Sequence, residues 1–223
     1  MTDRRTPVAP RGLSVAVKTA KSRSPASQRW LARQLNDPYV AAAKQQGWRS
    51  RAAFKLLELD DRFRLIRRGA RVVDLGAAPG GWSQVAVQRA AAGVVGIDLL
   101  PVDPVPGATL LLGDFTDETM QQRLVAELGG KADLVLSDMA PNTTGHTATD
   151  HLRIVALADA ALDFALEVLV DGGGFVTKVF QGGAERDMLA RLKRHFASVR
   201  HAKPPASRKE SSELYVVASG YRP

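Results

Sequence analysis

Four aspartates stand at the ends of four successive apolar segments of the sequence: Asp74, Asp98, Asp114 and Asp138. Short segments rich in Val, Ile and Leu are typical of buried strands. Each aspartate alone could cap a helix or stabilise a turn. Ligands of parallel sheets, however, bind beyond the carboxyl ends of the strands. The repeated placement therefore predicts a ligand pocket lined by carboxylates.

Lys178 lies inside a further apolar segment, 175–180. A lysine flanked by valine and phenylalanine is rarely buried without a partner. It could instead lie on an edge strand or extend its amine into solvent. Because it comes near the end of its segment, we interpret Lys178 as part of the same pocket.

A glycine-rich loop follows the first aspartate and contains Gly76, Gly80, Gly81 and Trp82. Valines before it and a helical pattern after it predict a strand, a tight turn and a helix whose free N–H groups face a ligand. The spacing matches neither the G-x-G-x-x-G dinucleotide motif nor the P-loop. An ordinary turn between a strand and a helix is the alternative.

The carboxylate of Asp74 discriminates between possible cofactors. It would repel a pyrophosphate, but it suits a cofactor that carries an ammonium and a sulfonium, as S-adenosylmethionine does. Asp98 comes 24 residues later, near the spacing at which an acid binds ribose hydroxyls. Asp114 could accept a hydrogen bond from an adenine amino group. The sequence therefore favours S-adenosylmethionine.

Strands and helices alternate from residue 70 onward. The predicted strands are 71–75, 94–98, 109–112, 133–137, 174–179, 198–202 and 214–219. The predicted helices are 81–91, 117–128, 151–169 and 184–195, after one or two helices within 37–66. This order predicts an α/β fold with a mostly parallel sheet and helices on both faces. The last two strands follow each other closely, which indicates an antiparallel hairpin at the sheet edge.

Positive charge is concentrated at both ends of the 223-residue chain, whose formal net charge is +8. Residues 1–68 hold 16 Lys and Arg against 5 Asp and Glu, residues 69–185 hold 6 against 15, and residues 186–223 hold 9 against 3. Basic ends favour a polyanionic partner such as nucleic acid, the alternative being a solvated basic surface. We interpret 1–28 as a basic, mostly disordered arm and 29–223 as one domain, with 29–68 as its N-terminal helices.

The composition excludes several kinds of site. The chain has no cysteine, which excludes disulfides, thiolate metal ligands and cysteine nucleophiles. No segment has the length and apolarity of a membrane span, so we expect a soluble, cytoplasmic protein. No cluster of His, Asp and Glu has metal-ligand spacing, and we expect no metal.

Three motifs of the chain are similar to those of one known family: the glycine loop 74–84, the Ser-Asp-Met-Ala-Pro-Asn segment 137–142 and the Lys-Val-Phe-Gln-Gly segment 178–182. They resemble the FtsJ/RrmJ (RlmE) family of ribosomal RNA 2′-O-ribose methyltransferases. Segments 37–40 and 49–56 are similar to the family's N-terminal helices, so the likeness covers roughly 28–223. It implies a Rossmann-like class I methyltransferase fold whose seven-stranded sheet has a reversed last strand. The implied substrate is a uridine in the A-loop of 23S rRNA, in the large ribosomal subunit.

The resemblance also implies a catalytic set of four charged residues, which are Lys55, Asp138, Lys178 and Glu213. The cofactor contacts that it implies are Gly80, Trp82, Asp98, Asp114 and Asp138. The stretch 143–151 departs from the family pattern, and we interpret it as loop variation that affects RNA contacts.

Lys178 would contact the ribose 2′-hydroxyl, either as a general base or as the group that orients the oxygen toward the methyl group. A base must be neutral, which burial and the charge of Lys55 favour and which Asp138 and Glu213 oppose. The sequence leaves both roles open. Asp138 would hold Lys178, and Lys55 and Glu213 would flank the ribose.

RNA phosphates would be attracted to the basic ends of the chain. We predict RNA contacts beside the target nucleotide from Arg49, Arg51, Arg208 and Lys209, because these residues lie close to Lys55 or Glu213 in sequence. The arm would add salt-sensitive attraction through Arg4, Arg5, Arg11, Lys18, Lys21, Arg23 and Arg29. We expect a monomer with no obligate protein partner, because a large RNA substrate needs open access.

Other functions remain as alternatives. A 2′-O-methyltransferase acting on tRNA or on an RNA cap would share the same motifs. A methyltransferase for small molecules or proteins would not explain the basic ends, and the loop 138–141 does not fit base N-methyltransferases. A non-catalytic RNA-binding module would not need Lys178 and Asp138, and an NAD(P) oxidoreductase would show another glycine spacing.

Overall fold

The computed structural model describes residues 15–16, 24–89, 91–141, 146–180 and 186–223. The helices within these residues are α1 (Pro25–Leu35), α2 (Pro38–Gln46), α3 (Ala52–Phe63), α4 (Gly81–Gln88), α5 (Glu118–Leu128), α6 (Thr147–Val168) and α7 (Arg186–His195). The strands are β1 (Arg71–Leu75), β2 (Gly93–Asp98), β3 (Ala108–Leu112), β4 (Ala132–Ser137), β5 (Leu169–Phe180), β6 (Phe196–Ala202) and β7 (Glu213–Tyr221).

The strands form one sheet in the order β3-β2-β1-β4-β5-β7-β6. The pairs from β3 to β5 are parallel, whereas β7 runs antiparallel to both β5 and β6. The strand order reverses between β1 and β4, and a crevice at such a switch point is where ligands of open α/β sheets bind. The predicted parallel sheet, its reversed last strand and the edge hairpin are confirmed.

Successive residues of the central strands lie in two separate apolar cores, because side chains alternate between the faces of a sheet. Val73 and Leu75 lie in the core covered by α5, α6 and α7. Val72 lies in the other core, which α3 and α4 cover with residues such as Leu56 and Trp82. The helices therefore cover both faces of the sheet, as the alternation of elements predicts.

Several element boundaries differ from the sequence-based ones, and the starts of β5 and α1 are two examples. β5 begins at Leu169, five residues before the predicted start, because the strand continues through the glycines that resemble a turn. Its pairing with β4 shifts in register at this point, between Ala132 and Leu134. Helix α1 begins at Pro25, inside the stretch interpreted as an arm, where the Oγ of Ser24 accepts a hydrogen bond from the main-chain N–H of Ser27 at 3.3 Å.

Several sequence-based interpretations lie outside the described residues. They concern 1–14 and 17–23 of the basic arm, Asn142 and the neighbouring positions to 145, and Gln181 and Gly182 of the third motif. Among the helices that are described, none combines the length and the apolar character that crossing a membrane requires.

Candidate active site

The sheet register brings Asp138 and Lys178 together. Ser137 at the end of β4 pairs with Thr177 of β5, so the next residue on each strand is Asp138 on one and Lys178 on the other. The Nζ of Lys178 donates a hydrogen bond to the main-chain oxygen of Asp138 at 2.7 Å and lies 3.2 Å from its Oδ1. The lysine is 7% exposed. It is thus a buried amine held by a carboxylate, and such a partner is what burial of a lysine requires.

The reversed strand β7 adds the acidic and phenolic side chains. Tyr215 pairs directly with Lys178, and Glu213 lies two residues earlier. Because side chains of a strand alternate, these three groups share one face of the sheet. The hydroxyl of Tyr215 donates to Oδ1 of Asp138 at 2.7 Å and lies 3.3 Å from Oε1 of Glu213.

Lys55 reaches the same cluster from helix α3. Its Nζ lies 2.7 Å from Oε1 of Glu213 and 3.8 Å from Oδ2 of Asp138, and it donates to the Tyr215 hydroxyl at 3.0 Å. The four residues of the implied catalytic set therefore meet in one place. Their charges alternate in sign, so that each cation lies beside a carboxylate.

The ionisation of Asp138 follows from these neighbours. Burial alone would raise the pKa of its carboxyl, but the ammonium groups of Lys178 and Lys55 and the hydrogen bond from Tyr215 outweigh burial and hold the pKa below its usual range. The pKa of Tyr215 is raised well above its ordinary value, by burial first and then by the charges of Asp138 and Glu213. At neutral pH the cluster contains an ionised aspartate and a protonated tyrosine.

Trp82 fixes helix α3 against the sheet. Its indole Nε1–H donates to the main-chain oxygen of Ala52, at the start of α3, at 2.8 Å. Its ring lies 5.7 Å from the ring of Tyr215, centroid to centroid. Trp82 is 3% exposed. Trp82 therefore supports both the start of the helix that carries Lys55 and the ring of Tyr215. A direct contact between its side chain and a cofactor stays a prediction.

The glycine loop between β1 and α4 packs against the residues that follow β4. Gly76 has a φ of +81°, and a Cβ there would lie 2.9 Å from the main-chain nitrogen and Cα of Met139. Such an approach allows no side chain at this position. The N–H groups of Gly76 and Ala77 both donate to the main-chain oxygen of Ile97 at 3.0 Å. The loop is thus held next to the active-site strand ends.

Asp74 is fully buried beneath the loop. Its Oδ2 accepts a hydrogen bond from the hydroxyl of Ser83, in α4, at 2.6 Å, whereas its Oδ1 has no hydrogen-bond partner. Burial raises the pKa of this carboxyl to about 7, and the charges of Asp138 and Asp98 add to the effect, while Ser83 opposes it. The predicted contact between Asp74 and a cofactor stays a prediction.

Asp98 is the last residue of β2, and Asp114 lies just beyond the end of β3. The two carboxylate oxygens of Asp98 accept from the main-chain N–H of Ala78 at 2.8 Å and of Leu100 at 2.9 Å. Asp114 is exposed, and hydrogen bonds from the hydroxyl and N–H of Thr116 lower the pKa of its carboxyl. Both acids are therefore at the carboxyl edge of the sheet, where the sequence places them.

The predicted RNA-binding arginines differ in what they contact. The guanidinium of Arg49 donates to main-chain oxygens of the glycine loop and of the connection between β2 and β3. Arg51 pairs with Asp37 and donates to the main-chain oxygen of Ala206, and it is 15% exposed. Arg208 is 29% exposed, at 3.6 Å from Asp37, and Lys209 is exposed. Phosphate contacts by these residues stay predictions.

A cavity of about 420 Å³ opens beside the cluster of Lys55, Asp138, Lys178 and Glu213. It is lined by Lys55 and Glu213 of the cluster, by Arg51 and Arg208, and by Arg33 on helix α1 together with neighbouring residues. Helix α1 thus forms a wall of the space that adjoins Lys55 and Glu213. Within the part of the chain that the structure describes, no group of three or more His, Asp or Glu could hold a metal ion.

Comparison with known proteins assigns this arrangement to a family. A family model described as FtsJ-like methyltransferase matches residues 48–221. The chain belongs to the FtsJ-like methyltransferase family. A protein from Granulibacter bethesdensis named ribosomal RNA large subunit methyltransferase E is 71% identical over 217 residues, which cover 97% of this chain and 94% of that protein. A protein of the same name from Acidiphilium cryptum is 68% identical over 213 residues, with 96% and 95% covered.

A solved structure supports the fold as well. A Plasmodium falciparum protein named as a ribosomal RNA methyltransferase matches with a TM-score of 0.70 and 28% sequence identity, over 78% of this chain and 98% of that chain. The resemblance that the motifs suggest is therefore confirmed.

Two side chains in the site of this FtsJ-like methyltransferase were missed by the sequence analysis. Tyr215 links Asp138, Glu213 and Lys55, and the hydroxyl of Ser207 donates to Oε1 of Glu213 at 2.9 Å. The period of two along a strand was a signal for Tyr215, since it lies two residues after Glu213. No local pattern distinguishes Ser207, whose contact depends on how the loop before β7 folds.

Proposed function

We propose that this FtsJ-like methyltransferase transfers a methyl group from S-adenosylmethionine to the ribose 2′-hydroxyl of a uridine in the A-loop of 23S rRNA. The substrate would be the assembled large ribosomal subunit, and the enzyme a cytoplasmic monomer without an obligate protein partner. The observation that carries the proposal is the meeting of Lys55, Asp138, Lys178 and Glu213 at the carboxyl edge of the sheet.

The residues at this edge fit S-adenosylmethionine. Asp98 uses one hydrogen bond per oxygen, and a carboxylate has about four acceptor positions, so it can also bind ribose hydroxyls. Leu99 and Leu100 are exposed by 67% and 64% and offer apolar surface to an adenine ring. Asp74 is fully buried with an unpartnered Oδ1, and a cationic ligand bound at the loop above it would favour the ionised form of this carboxyl.

Lys178 is the group that we place on the target hydroxyl. When bound, S-adenosylmethionine supplies an electrophilic methyl group, which the 2′-oxygen takes as it loses its proton. The two contacts of Lys178 with Asp138 hold its buried Nζ in a fixed position at the carboxyl edge of the sheet. Holding the oxygen in line with the methyl group can supply several kcal/mol, up to about 7–11 in the best cases.

Asp138 serves the reaction through its charge. Its lowered pKa keeps it ionised at neutral pH, so it balances both lysines and favours positive charge where a sulfonium would lie. Lys178 accepts the hydroxyl proton if it enters the reaction as a neutral amine. If it enters as an ammonium, it orients the oxygen and the proton passes to water. These two roles predict different dependence of kcat on pH. In the first case kcat should rise with pH as a basic group loses its proton, and in the second case it should not.

The substrate RNA would enter through the cavity beside Lys55. That cavity is bordered by Arg33, Arg51 and Arg208, whose positive charge suits the phosphates on either side of a target nucleotide. Lys55 and Glu213 line it as well, so a ribose in this space would lie between the catalytic cluster and the basic rim. The names of the relatives from Granulibacter and Acidiphilium also support an rRNA substrate.

Methyl transfer to large ribosomal subunits tests the proposal. Subunits from cells that lack the native modification are incubated with the enzyme and radiolabelled S-adenosylmethionine, and the labelled nucleotide is mapped. We expect label on a 2′-O-methyluridine of the A-loop with the wild type and none with Lys178→Met. Arg71→Met, on the opposite end of the sheet, is the matched control and should retain activity.

Other outcomes would redirect the proposal. Label on tRNA or on capped RNA, with none on subunits or on free 23S rRNA, would replace the substrate and keep the chemistry. Tight cofactor binding with no transfer to any of these RNAs would contradict the enzymatic role.

A further inference from the structure

The guanidinium of Arg49 joins two loops on the cofactor side of the molecule. Its Nη1 donates to the main-chain oxygen of Pro79 at 3.2 Å and to that of Asp103, and its Nη2 donates to that of Pro104 at 2.6 Å. Pro79 belongs to the glycine loop, whereas Asp103 and Pro104 belong to the connection between β2 and β3. These two loops follow the strands that carry Asp74 and Asp98, at the edge where ligands of such sheets bind.

The main chain beside Arg49 is fixed to the same region. The main-chain N–H of Arg49 donates to Oε1 of Gln84, in α4, at 2.9 Å. The Nε2 of Gln84 in turn donates to the main-chain oxygen of Gly47 at 3.2 Å. The segment before α3 is therefore attached to α4 and to the glycine turn through both side chain and backbone.

The glycine turn itself makes room for this arginine. A Cβ on Gly80 would lie 2.7 Å from Nη1 of Arg49 and 3.2 Å from a methyl of Val105, and the φ of Gly80 is +104°. A side chain at this position would displace the guanidinium from the two loops. The absence of a side chain at Gly80 is thus explained by contact with Arg49 as well as by backbone conformation.

The geometry needs an arginine and not merely a positive charge. Three main-chain oxygens from two loops are reached by two nitrogens of one planar group, and this fork is what distinguishes arginine from lysine. A lysine ammonium is a compact point charge, which cannot span the same acceptors in one geometry. Loss of the fork would let the connection between β2 and β3 move away from the glycine loop.

We propose that Arg49 is a positioning residue for the cofactor: it holds the β2–β3 connection against the glycine loop and so preorganises the adenosine side of the site. The proposal rests on the proposed function in taking S-adenosylmethionine as the ligand. It assigns the side chain to the cofactor site, whereas the sequence suggests a contact with RNA phosphate.

Binding of S-adenosylmethionine without RNA, measured by isothermal titration, tests the proposal. We compare the wild type with Arg49→Lys and Arg49→Ala, and with Arg208→Ala as a matched control on the RNA side. We expect the Kd for S-adenosylmethionine to rise about tenfold or more for both Arg49 variants. Without the arginine, binding of the cofactor must also supply the free energy that orders the β2–β3 connection. Arg208→Ala should bind the cofactor as the wild type does.

A kinetic comparison separates positioning from general damage. With rRNA substrate, Arg49→Lys should raise KM for S-adenosylmethionine while kcat at saturating cofactor stays near the wild-type value. Circular dichroism and the Tm check that the variants fold. We expect them to do so, because Asp103 and Pro104 are exposed and their carbonyls can bind water once the arginine is lost.

Two results would overturn the inference, and they differ from a failure of the proposed function. Unchanged cofactor Kd for folded Arg49→Ala would exclude positioning. Arg49 would instead be assigned to RNA if the cofactor Kd were unchanged and RNA binding were weaker. The salt dependence of RNA binding should then fall by the amount expected for about one phosphate contact. If the wild type itself fails to bind S-adenosylmethionine, the choice of cofactor in the proposed function is wrong.

Discussion

Replacing Asp74 with asparagine should make the stability of this protein less sensitive to pH. Asp74 is fully buried, and one of its oxygens has no hydrogen-bond partner. Burial raises the pKa of its carboxyl from 3.8 to about 7 in the folded chain. In the unfolded chain the group ionises near the lower value. Its contribution to stability is therefore fully present below pH 3.8 and is lost as the pH rises through about 7.

The size of the effect follows from the two pKa values. One pKa unit corresponds to about 1.4 kcal/mol, so ionising Asp74 inside the folded protein costs at most about 4 kcal/mol. Between about pH 5 and about pH 8 the wild type should lose about 2–3 kcal/mol of unfolding free energy through this group alone. The asparagine side chain of the variant has no proton to lose in this range, so the variant should lack that part of the pH dependence.

Urea unfolding at a series of pH values, without cofactor, measures the effect. The quantity compared is the change in unfolding free energy between the two pH values and not the free energy itself. An asparagine amide adds a buried donor, which shifts stability by a similar amount at every pH. Asp171→Asn, at an exposed position of β5, is the matched control and should keep the wild-type slope.

Identical slopes for Asp74→Asn and the wild type would refute the reasoning. They would mean that Asp74 is already ionised at about pH 5 in the folded chain, through water or a partner that replaces its missing hydrogen bond.

The remaining predictions concern the catalytic cluster and the arm. Lys178→Met should lower kcat about 10²–10⁴-fold and leave the Kd for S-adenosylmethionine nearly unchanged, as single-turnover rates and titration would show; a residual rate near that of wild type would exclude Lys178 from the reaction. Tyr215→Phe should lower kcat less than tenfold, because both lysines still balance the charge of Asp138 when the hydrogen bond from the phenol to its carboxylate is lost. A loss as large as that of Lys178→Met would mean that the phenol acts in the chemistry. A chain that begins at residue 24 should bind rRNA more weakly and with a smaller salt dependence, measured by filter binding, while its cofactor affinity is unchanged; an unchanged salt slope would contradict an RNA-binding arm.

The sequence predicts the sheet well because its signals are local and mutually consistent. Each central strand is a short apolar run, and β1, β4 and β5 are each followed by a turn and a helical pattern. The same regularity places Asp98 and Asp138 at the carboxyl edge before any coordinates are known. The start of β5 is mispredicted because Asp171 and the glycines after it have the composition of a turn, while the strand extends through them to Leu169, which pairs with Ala132 of β4.

Contacts between segments that are distant in the chain are not predicted by the sequence. Arg49 and Arg51 precede Lys55 and have the charge expected for RNA binding, but their guanidinium groups also contact main-chain oxygens elsewhere in the protein. The pattern of charges along a sequence shows only which residue types are neighbours in the chain. It does not report which carbonyl groups the fold presents 30 or 155 positions away.

The alternation of charges in the cluster explains why a methyltransferase can keep two lysines in a partly buried site. Asp138 lies between Lys178 and Lys55, and Glu213 is shared by Lys55 and Ser207. Each charge that burial would otherwise disfavour has a partner, and the lowered pKa of Asp138 is the direct consequence. The same sharing means that a substitution at one lysine changes the electrostatic environment of the other. Rates of single variants in this cluster therefore describe the whole set, and they cannot be divided into separate contributions from each residue.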